Sequence, residues 1–429
     1  MKQPKIPIEI KRGEASFAWH YSTGQVEDLS FDVAPSSRLI RGIFGMPFGM
    51  CYLEKRAPIE DGIQLIYEYM TDLSLTVTRT LTDEGLMERY EWRNVGKKDI
   101  SVADGEVGVY VTFAEKYDLR EVTLAHRAYT HILAGGKTFY MANARCNGAP
   151  GGVGLVLIEG QIAEVKEERL HPAERGDLIA FMPARTIAPE ESVTWQWLVF
   201  PYADEQAFWR VVTPYAHKIN VTPLCPTVGQ SVTVTVDDAA PAEVEVNGEI
   251  VANPFLSPAG PFTLRPIAGD EETVLAMSGL SQAERWAEAY HGLSRSKKGN
   301  PRRHIAESVR LAERFAETGE QADYDGAVAA MYAYYRTYGA YRRPQVGMPA
   351  VLIKSSEGLR QQFARHVGGV LKPSRRRYTR ETALGEYETL RVADYVFDGK
   401  YEQEKKAAYE RAKPLIYTPF GILYTEDKQ

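Results

Sequence analysis

From Glu9 to about Phe200, apolar and polar residues alternate in short runs separated by turn residues, the pattern of antiparallel strands with one buried face. Leu73, Leu75 and Val77 alternate with polar neighbours, Asp83-Glu84-Gly85 makes a turn, and the chain returns through Leu86 to Trp92 with Glu88, Arg89 and Glu91 assigned to the polar side. That spacing predicts a long hairpin. Runs at Ser101 to Phe113, Gly152 to Ile158 and Ser192 to Phe200 extend the theme, and nothing in this stretch keeps helical spacing over three turns.

Near Thr222 the texture changes. Val232, Val234 and Val236 alternate, and Val244 and Val246 run into Asn247-Gly248, the favoured two-residue hairpin turn, before Ile250 and Val251. Prolines 223, 226, 241, 254, 258 and 261 mark the bends, so Cys225 to Ser278 reads as a small separate β-sandwich that resembles an immunoglobulin-like spacer.

After Gly279 the apolar period lengthens from two to that of a helix. Ser281 and Glu284 form a capping box for a helix through Trp286 and Tyr290. Asn300 and Pro301 start another whose Ile305, Val309, Ala312 and Phe315 share a stripe ending at Gly319. Asp323 or Asp325 caps a third, with Val328, Met331, Tyr332 and Tyr335 inward and Gly339 as its stop. Ser355 opens a fourth through Leu359, Phe363 and Val367, Thr379 a fifth through Leu384 and Tyr387, and Tyr401 a sixth ending at Pro414. The expected architecture is β then α: an antiparallel β-supersandwich over 1–218, a small β-sandwich over 219–280, and an α/α helical-hairpin domain over 281–429.

Composition narrows the function classes. At 429 residues the chain exceeds one ordinary core, and a net charge of −6 gives no reason to expect a nucleic-acid partner. The basic clusters Arg295 to His304 and Lys372 to Arg377 are broken by Gly, Asn or Pro and read as solvated connections. Cys51, Cys146 and Cys225 are odd in number and far apart, which excludes a disulfide framework and a metal knuckle. Residues 1–17 hold no apolar stretch long enough for a secretory signal and no later run approaches a membrane span, so a cytoplasmic protein is expected.

A β-rich front followed by helical hairpins resembles the six-hairpin glycosidases, in which a galactose-mutarotase-like supersandwich precedes an α/α toroid. Glu88-Arg-Tyr-Glu-Trp-Arg-Asn-Val-Gly96 resembles the strand-and-turn signature of such supersandwiches. Gly154-Leu-Val-Leu-Ile-Glu-Gly160, Arg175-Gly-Asp177 and Ile187-Ala-Pro-Glu-Glu191 before Trp195 are similar to strand and turn features of sugar-enzyme relatives. A closed toroid takes twice the helices that this tail offers. The resemblance therefore implies a truncated remnant, a half-ring scaffold, or a homodimer or partner chain that completes the ring, and the alternative to an enzyme is a non-catalytic sugar-binding or assembly protein that dimerises through the helical tail.

The chemistry implied is cleavage of an oligosaccharide or polysaccharide fragment by paired carboxylates, with no cofactor and no metal. In a toroid the acids lie at one end of the ring, and alternation of the helices places Asp323, Asp325 and Glu381 at a common end, making them the catalytic candidates. First-turn acids also stabilise helix N-termini without any catalysis, and that plainer role competes for all three. Glu357 opens a helix at the other end and is assigned only that role. Sugar rings stack on flat aromatic faces, and Tyr324, Tyr341 and Trp286 near helix ends are the substrate-binding candidates, whereas Tyr332 and Tyr335 belong in the core.

Other motifs lead nowhere catalytic. His126 and His131 lie an odd distance apart in a region read as strand, which sends them to opposite faces and rules out a shared metal. A mutarotase-type site would pair His126 with Glu106 or Glu159, with no spacing to support it. Gly135-Gly136 and Gly151-Gly152 read as hairpin turns, and Gly45 to Gly49 as an apolar loop.

Overall fold

The computed structural model describes residues 8–12, 15–19, 23–30, 43–49, 51–70, 72–113, 119–146, 151–168, 176–241, 243–268, 271–281, 301–338, 349–372 and 380–416. The chain forms two compact units, Met1–Tyr117 with Ala125–Gly279, and Asp118–Leu124 with Leu280–Tyr417. The protein is thus mostly β-sheet with a C-terminal helical region.

The first unit begins with β1 (Ile8–Arg12), β2 (Ala15–Trp19), β3 (Val26–Ser30), β4 (Phe44–Phe48), β5 (Cys51–Ile59), β6 (Gly62–Tyr69), β7 (Leu73–Leu81) and β8 (Leu86–Asn94). It continues through β9 (Ile100–Val102), β10 (Gly108–Val111), helix α1 (Arg120–His126), β11 (Ala128–Gly135), β12 (Thr138–Arg145) and β13 (Gly152–Glu159). Then come β14 (Glu164–Glu168), β15 (Asp177–Phe181), β16 (Arg185–Ile187), β17 (Ser192–Tyr202) and helix α2 (Glu205–Val212). One antiparallel sheet runs β1-β2-β3-β4-β10-β15-β14 and a second runs β11-β12-β13-β17-β8-β7-β6-β5. Their facing sides share one core, in which Phe17, Trp19 and Phe44 meet Leu65, Trp92, Trp195 and Trp197.

Burial explains which strands alternate. Along β7 and β8 every second residue is buried. Along β12 and β13 nearly all are, because the outer face there is covered too. Leu133, Tyr140, Val156 and Phe200 on that outer face pack with Phe208, Trp209 and Val212 of α2, and with Val232, Val234, Phe262 and Leu264. The last four belong to a smaller pair of sheets between Ile219 and Gly279. The Thr138 and Thr273 hydroxyls meet at 2.6 Å, and a side chain on Gly135 would strike the Val274 carbonyl, so the small sheets are fixed to the β11–β12 hairpin. Gly136, at φ +66°, makes the turn of that hairpin, and Asn247-Gly248 turns as expected at φ +53° and +86°.

Two expectations are corrected in this unit. Gly45 to Phe48 lies in a strand, β4, and not in a loop. Glu88 is fully buried on the same face as Leu86, Tyr90 and Trp92, as a two-residue period requires of even-numbered neighbours. Arg79, Glu88 and Trp197 stand side by side in register across β7, β8 and β17. The Arg79 Nε donates to Glu88 Oε1, its Nη1 donates to the Gly24 carbonyl and its Nη2 to the Gly45 carbonyl at 2.5 Å, while Trp197 Nε1 donates to Glu88 Oε2 at 2.7 Å. Gly24 and Gly45 have φ of +71° and +69°, and a side chain on Gly45 would meet Arg79 Nη2 at 2.6 Å. The pair thus sits on one sheet and hydrogen-bonds the backbone of the other.

The second unit contains α3 (Pro301–Thr318), α4 (Gln321–Tyr338), α5 (Ala350–Ser355), α6 (Glu357–Val370), α7 (Arg380–Val396) and α8 (Glu402–Ile416). Its core joins Ile305, Met331, Tyr334, Phe363, Val367, Leu390, Ala393 and Ala408. Gly319, at φ +70°, ends α3 as expected, its N–H bonding the Phe315 carbonyl. The third predicted helix starts earlier than expected, at Gln321, which puts Asp323 and Asp325 inside the helix instead of at its cap. The fourth is capped by Ser356, because Ser355 ends the short unpredicted helix α5. The last runs past Pro414 to Ile416, since a missing N–H costs only one bond so near the end. Beyond Ser281, the helix expected through Tyr290 lies outside the described residues. No helix among the described residues is long and apolar enough to cross a membrane.

Replacing Arg79 by Met leaves the Glu88 charge buried without its partner and is expected to cost about 3–5 kcal/mol in urea unfolding. The double change R79M/E88M should be less destabilised than R79M alone, because no uncompensated charge remains.

Candidate functional site

Of the catalytic candidates, Asp323 and Asp325 leave α4 on different sides. Asp323 is buried on α4, with its carboxylate 3.3 Å from Arg314 Nε. Asp325, two residues on and some 200° around a helix, is exposed and accepts a hydrogen bond from Gln321 Nε2 at 3.0 Å. Tyr324 lies between them, half-buried, its ring 5.3 Å from Phe315 and its hydroxyl 3.2 Å from Ser355 Oγ. Glu381 is in the first turn of α7, but its side chain, like Trp286 and Tyr341, lies outside the described residues.

The tyrosines of α4 divide by helical geometry. Tyr334 and Tyr335 are buried, with ring centroids 5.1 Å apart, and Tyr334 stands edge-on to His366 at 6.2 Å. Burial, and then the neighbouring Tyr334, push the Tyr335 phenol far above its ordinary value, so it keeps its proton and cannot serve as a base. Tyr332 is only half-buried, and its hydroxyl occupies the space that a side chain on Gly358 would take at the start of α6. Phenol and imidazole are groups that move protons, yet Tyr334 and His366 sit in the core of the helical unit where a sugar has no access.

One buried polar group of this unit was missed by the sequence. Glu386, on α7, is 4 % exposed, and its Oε1 accepts Arg120 Nη2 at 3.0 Å and Arg411 Nη2 at 2.6 Å. The two arginines are partly open to solvent. Arg120 comes from α1, an insertion between strands of the β unit whose first part packs with the helices, and Arg411 from α8. No periodicity could have revealed a pairing across such a separation, and 118–124 had been read as part of the β region. What the arrangement can do is hold negative charge, since guanidinium forks match carboxylate and sulfate oxygens.

In the β unit the mutarotase-type pairing finds no support. Glu159 is exposed and paired with Arg89 at 2.9 Å, Glu106 accepts the Ala103 N–H, and His126 ends helix α1 and does not lie in a strand. His131 lies in β11 as expected, and no group of three or more His, Cys, Asp or Glu among the described residues could hold a metal ion.

No family model and no curated protein sequence matches this chain. Among solved structures, a polysaccharide lyase matches 96 % of this chain and 82 % of its own, with a TM-score of 0.70 at 14 % identity. The chain shares the fold of that lyase. A galactose mutarotase-like protein from Lactobacillus casei matches 46 % of this chain and 100 % of its own at 10 % identity, with a TM-score of 0.29. A heparinase III gene product matches 52 % of this chain and 38 % of its own at 9 % identity, with a TM-score of 0.25. Scores that low carry no fold assignment.

Replacing Glu386 by Ala removes the acceptor of two guanidinium groups and is expected to lower the stability of the helical unit by about 1–3 kcal/mol. A double-mutant cycle with R120A, followed by urea unfolding, should give a coupling energy well above zero. Additive single effects would mean that the contact contributes nothing.

Proposed function

We propose that this protein is a carbohydrate-active enzyme that cleaves a polysaccharide. The observation that carries the reading is the match to a polysaccharide lyase, which extends over 96 % of the chain and so takes in both the β and the helical unit. Cleavage by elimination is the first course: a base takes a ring proton, the glycosidic C–O bond on the adjacent carbon breaks, the departing sugar oxygen takes a proton from an acid, and a C=C double bond is left between the two ring carbons.

Hydrolysis by paired carboxylates is the second course, and it draws on Asp325, Asp323 and Glu381 for acid and base, with Tyr324, Tyr341 and Trp286 as sugar platforms. The exposure of Asp325 beside the half-buried Tyr324 favours those two residues within that set. Asp323 is poorly placed for it, because its carboxylate is enclosed against Arg314.

The test is to incubate the purified chain with a panel of neutral and acidic polysaccharides, following new reducing ends together with ultraviolet absorbance from unsaturated ends. Elimination predicts that both rise together and that D325N keeps the activity. New reducing ends without absorbance, lost in D325N, would establish the hydrolytic course. No new ends on any substrate of the panel would overturn the proposal.

A further inference from the structure

The small pair of sheets between Ile219 and Gly279 carries eight Asp or Glu residues against one basic residue, Arg265, whereas the whole chain has a net charge of −6. The acidic excess of the protein is therefore concentrated here, and the rest of the chain is close to neutral. One sheet runs β18 (Ile219–Thr222), β19 (Ser231–Val236), β22 (Phe255–Leu256), and the other begins β21 (Glu249–Val251), β20 (Glu243–Val246), β23 (Gly260–Ala268). Both β21 and β22 are edge strands. A groove of about 630 Å³ opens between them, lined by Val246, Glu249, Val251, Phe255 and Leu256. Leu256 is 69 % exposed at its mouth. Paired residues of adjacent strands share a face, so Val246, Glu249 and Val251 face the groove, and Glu245 and the 56 % exposed Ile250 lie on the outer side.

Backbone, groove and charge at this edge select the same occupant. Beside the Asn247-Gly248 turn, Val246 and Glu249 form the hydrogen-bonded pair, so the N–H and C=O of Ile250 point away from β20. Among the described residues no strand takes up those groups. Glu245 is paired with Arg265 at 3.5 Å, whereas the exposed Glu243 and Glu249 have no ion pair among the described residues. We infer that β21 accepts an extended segment of a partner polypeptide in which basic and apolar residues alternate. As an added strand, the segment places its apolar side chains in the groove against Val251 and Leu256, and its basic ones on the outer side toward Glu243 and Glu245. A strand of three residues offers few main-chain bonds, so charge supplies much of the attraction and salt weakens it. A glycan has no peptide groups to match Ile250, so this inference stands apart from the polysaccharide reading.

The test is fluorescence anisotropy of a labelled peptide alternating Lys and Val, titrated with the full chain at low and moderate salt. The peptide should bind saturably and more weakly as salt rises, and a peptide alternating Glu and Val should not bind. The charge reversal E243K/E249K should weaken binding by about ten-fold or more, the scale of 1.4 kcal/mol. L256S removes the apolar rim and should weaken it without changing the salt dependence; both variants alter exposed side chains, and thermal unfolding checks that the fold is kept. Methylating alternate backbone nitrogens of the peptide should abolish binding while leaving its charge. The inference is overturned if the Lys-Val peptide does not bind, or if the methylated peptide or a folded E243K/E249K binds as the originals do. Displacement of the peptide by a chitosan oligosaccharide that L256S still binds fully would assign the site to a cationic glycan instead. Self-association of the chain alone that E243K/E249K abolishes would put a second copy in the groove and overturn the separate partner.

Discussion

The β unit depends on an ion pair with no exposure to solvent. Arg79 and Glu88 are fully buried between two sheets, and an uncompensated charge at that depth would be prohibitively costly. The solution is complete pairing. Glu88 receives Arg79 and Trp197, and Arg79 distributes its remaining bonds to the carbonyls of Gly24 and Gly45 on the opposite sheet. The aromatic packing around it, Tyr90 against Trp197 at 4.8 Å and Trp92 against Trp195 at 4.9 Å, supplies apolar burial without direction. The ion pair supplies direction, because its bonds fix how the two sheets face each other.

That constraint reaches the rest of the unit through the second sheet. With one face committed to Arg79, Glu88 and the tryptophans, the opposite face of β12, β13 and β17 is left apolar, and α2 and the small sheets cover it. The close approach of Gly135 to Val274 and the Thr138–Thr273 contact follow from that second layer. The strands between the two layers consequently lose their alternation, which is why β13 reads as a continuous apolar run.

In the helical unit the organising group is also a buried carboxylate, but its partners are arranged differently. Glu88 is enclosed on all sides, whereas Glu386 is held by two arginines that still reach solvent. The first arrangement fixes the two sheets, and the second ties α1, α7 and α8 together. That contrast shows that burial, more than any count of acidic residues, decides what a carboxylate does in this fold. It also changes the standing of Asp323 and Asp325, whose helix sends one into the protein and the other to solvent.

The sequence by itself determined the order of β and helical parts, the change of period near residue 280, the turn at Asn247-Gly248 and the stop at Gly319. Each of these is local: a two-residue or helical period, or a backbone that needs positive φ, is written into neighbouring residues. The partnership of Arg79 with Glu88 was nearly legible, since a two-residue period already puts Glu88 with Leu86 and Tyr90, yet the polar side chain disguised the buried face. Only the tertiary structure decided that α1 contributes Arg120 to Glu386, that Ser355 ends one helix while Ser356 begins the next, and that Gly135 is small because Val274 presses on it. These depend on which distant segments meet. Such meetings are set by the packing of whole layers and leave no periodic trace in the chain.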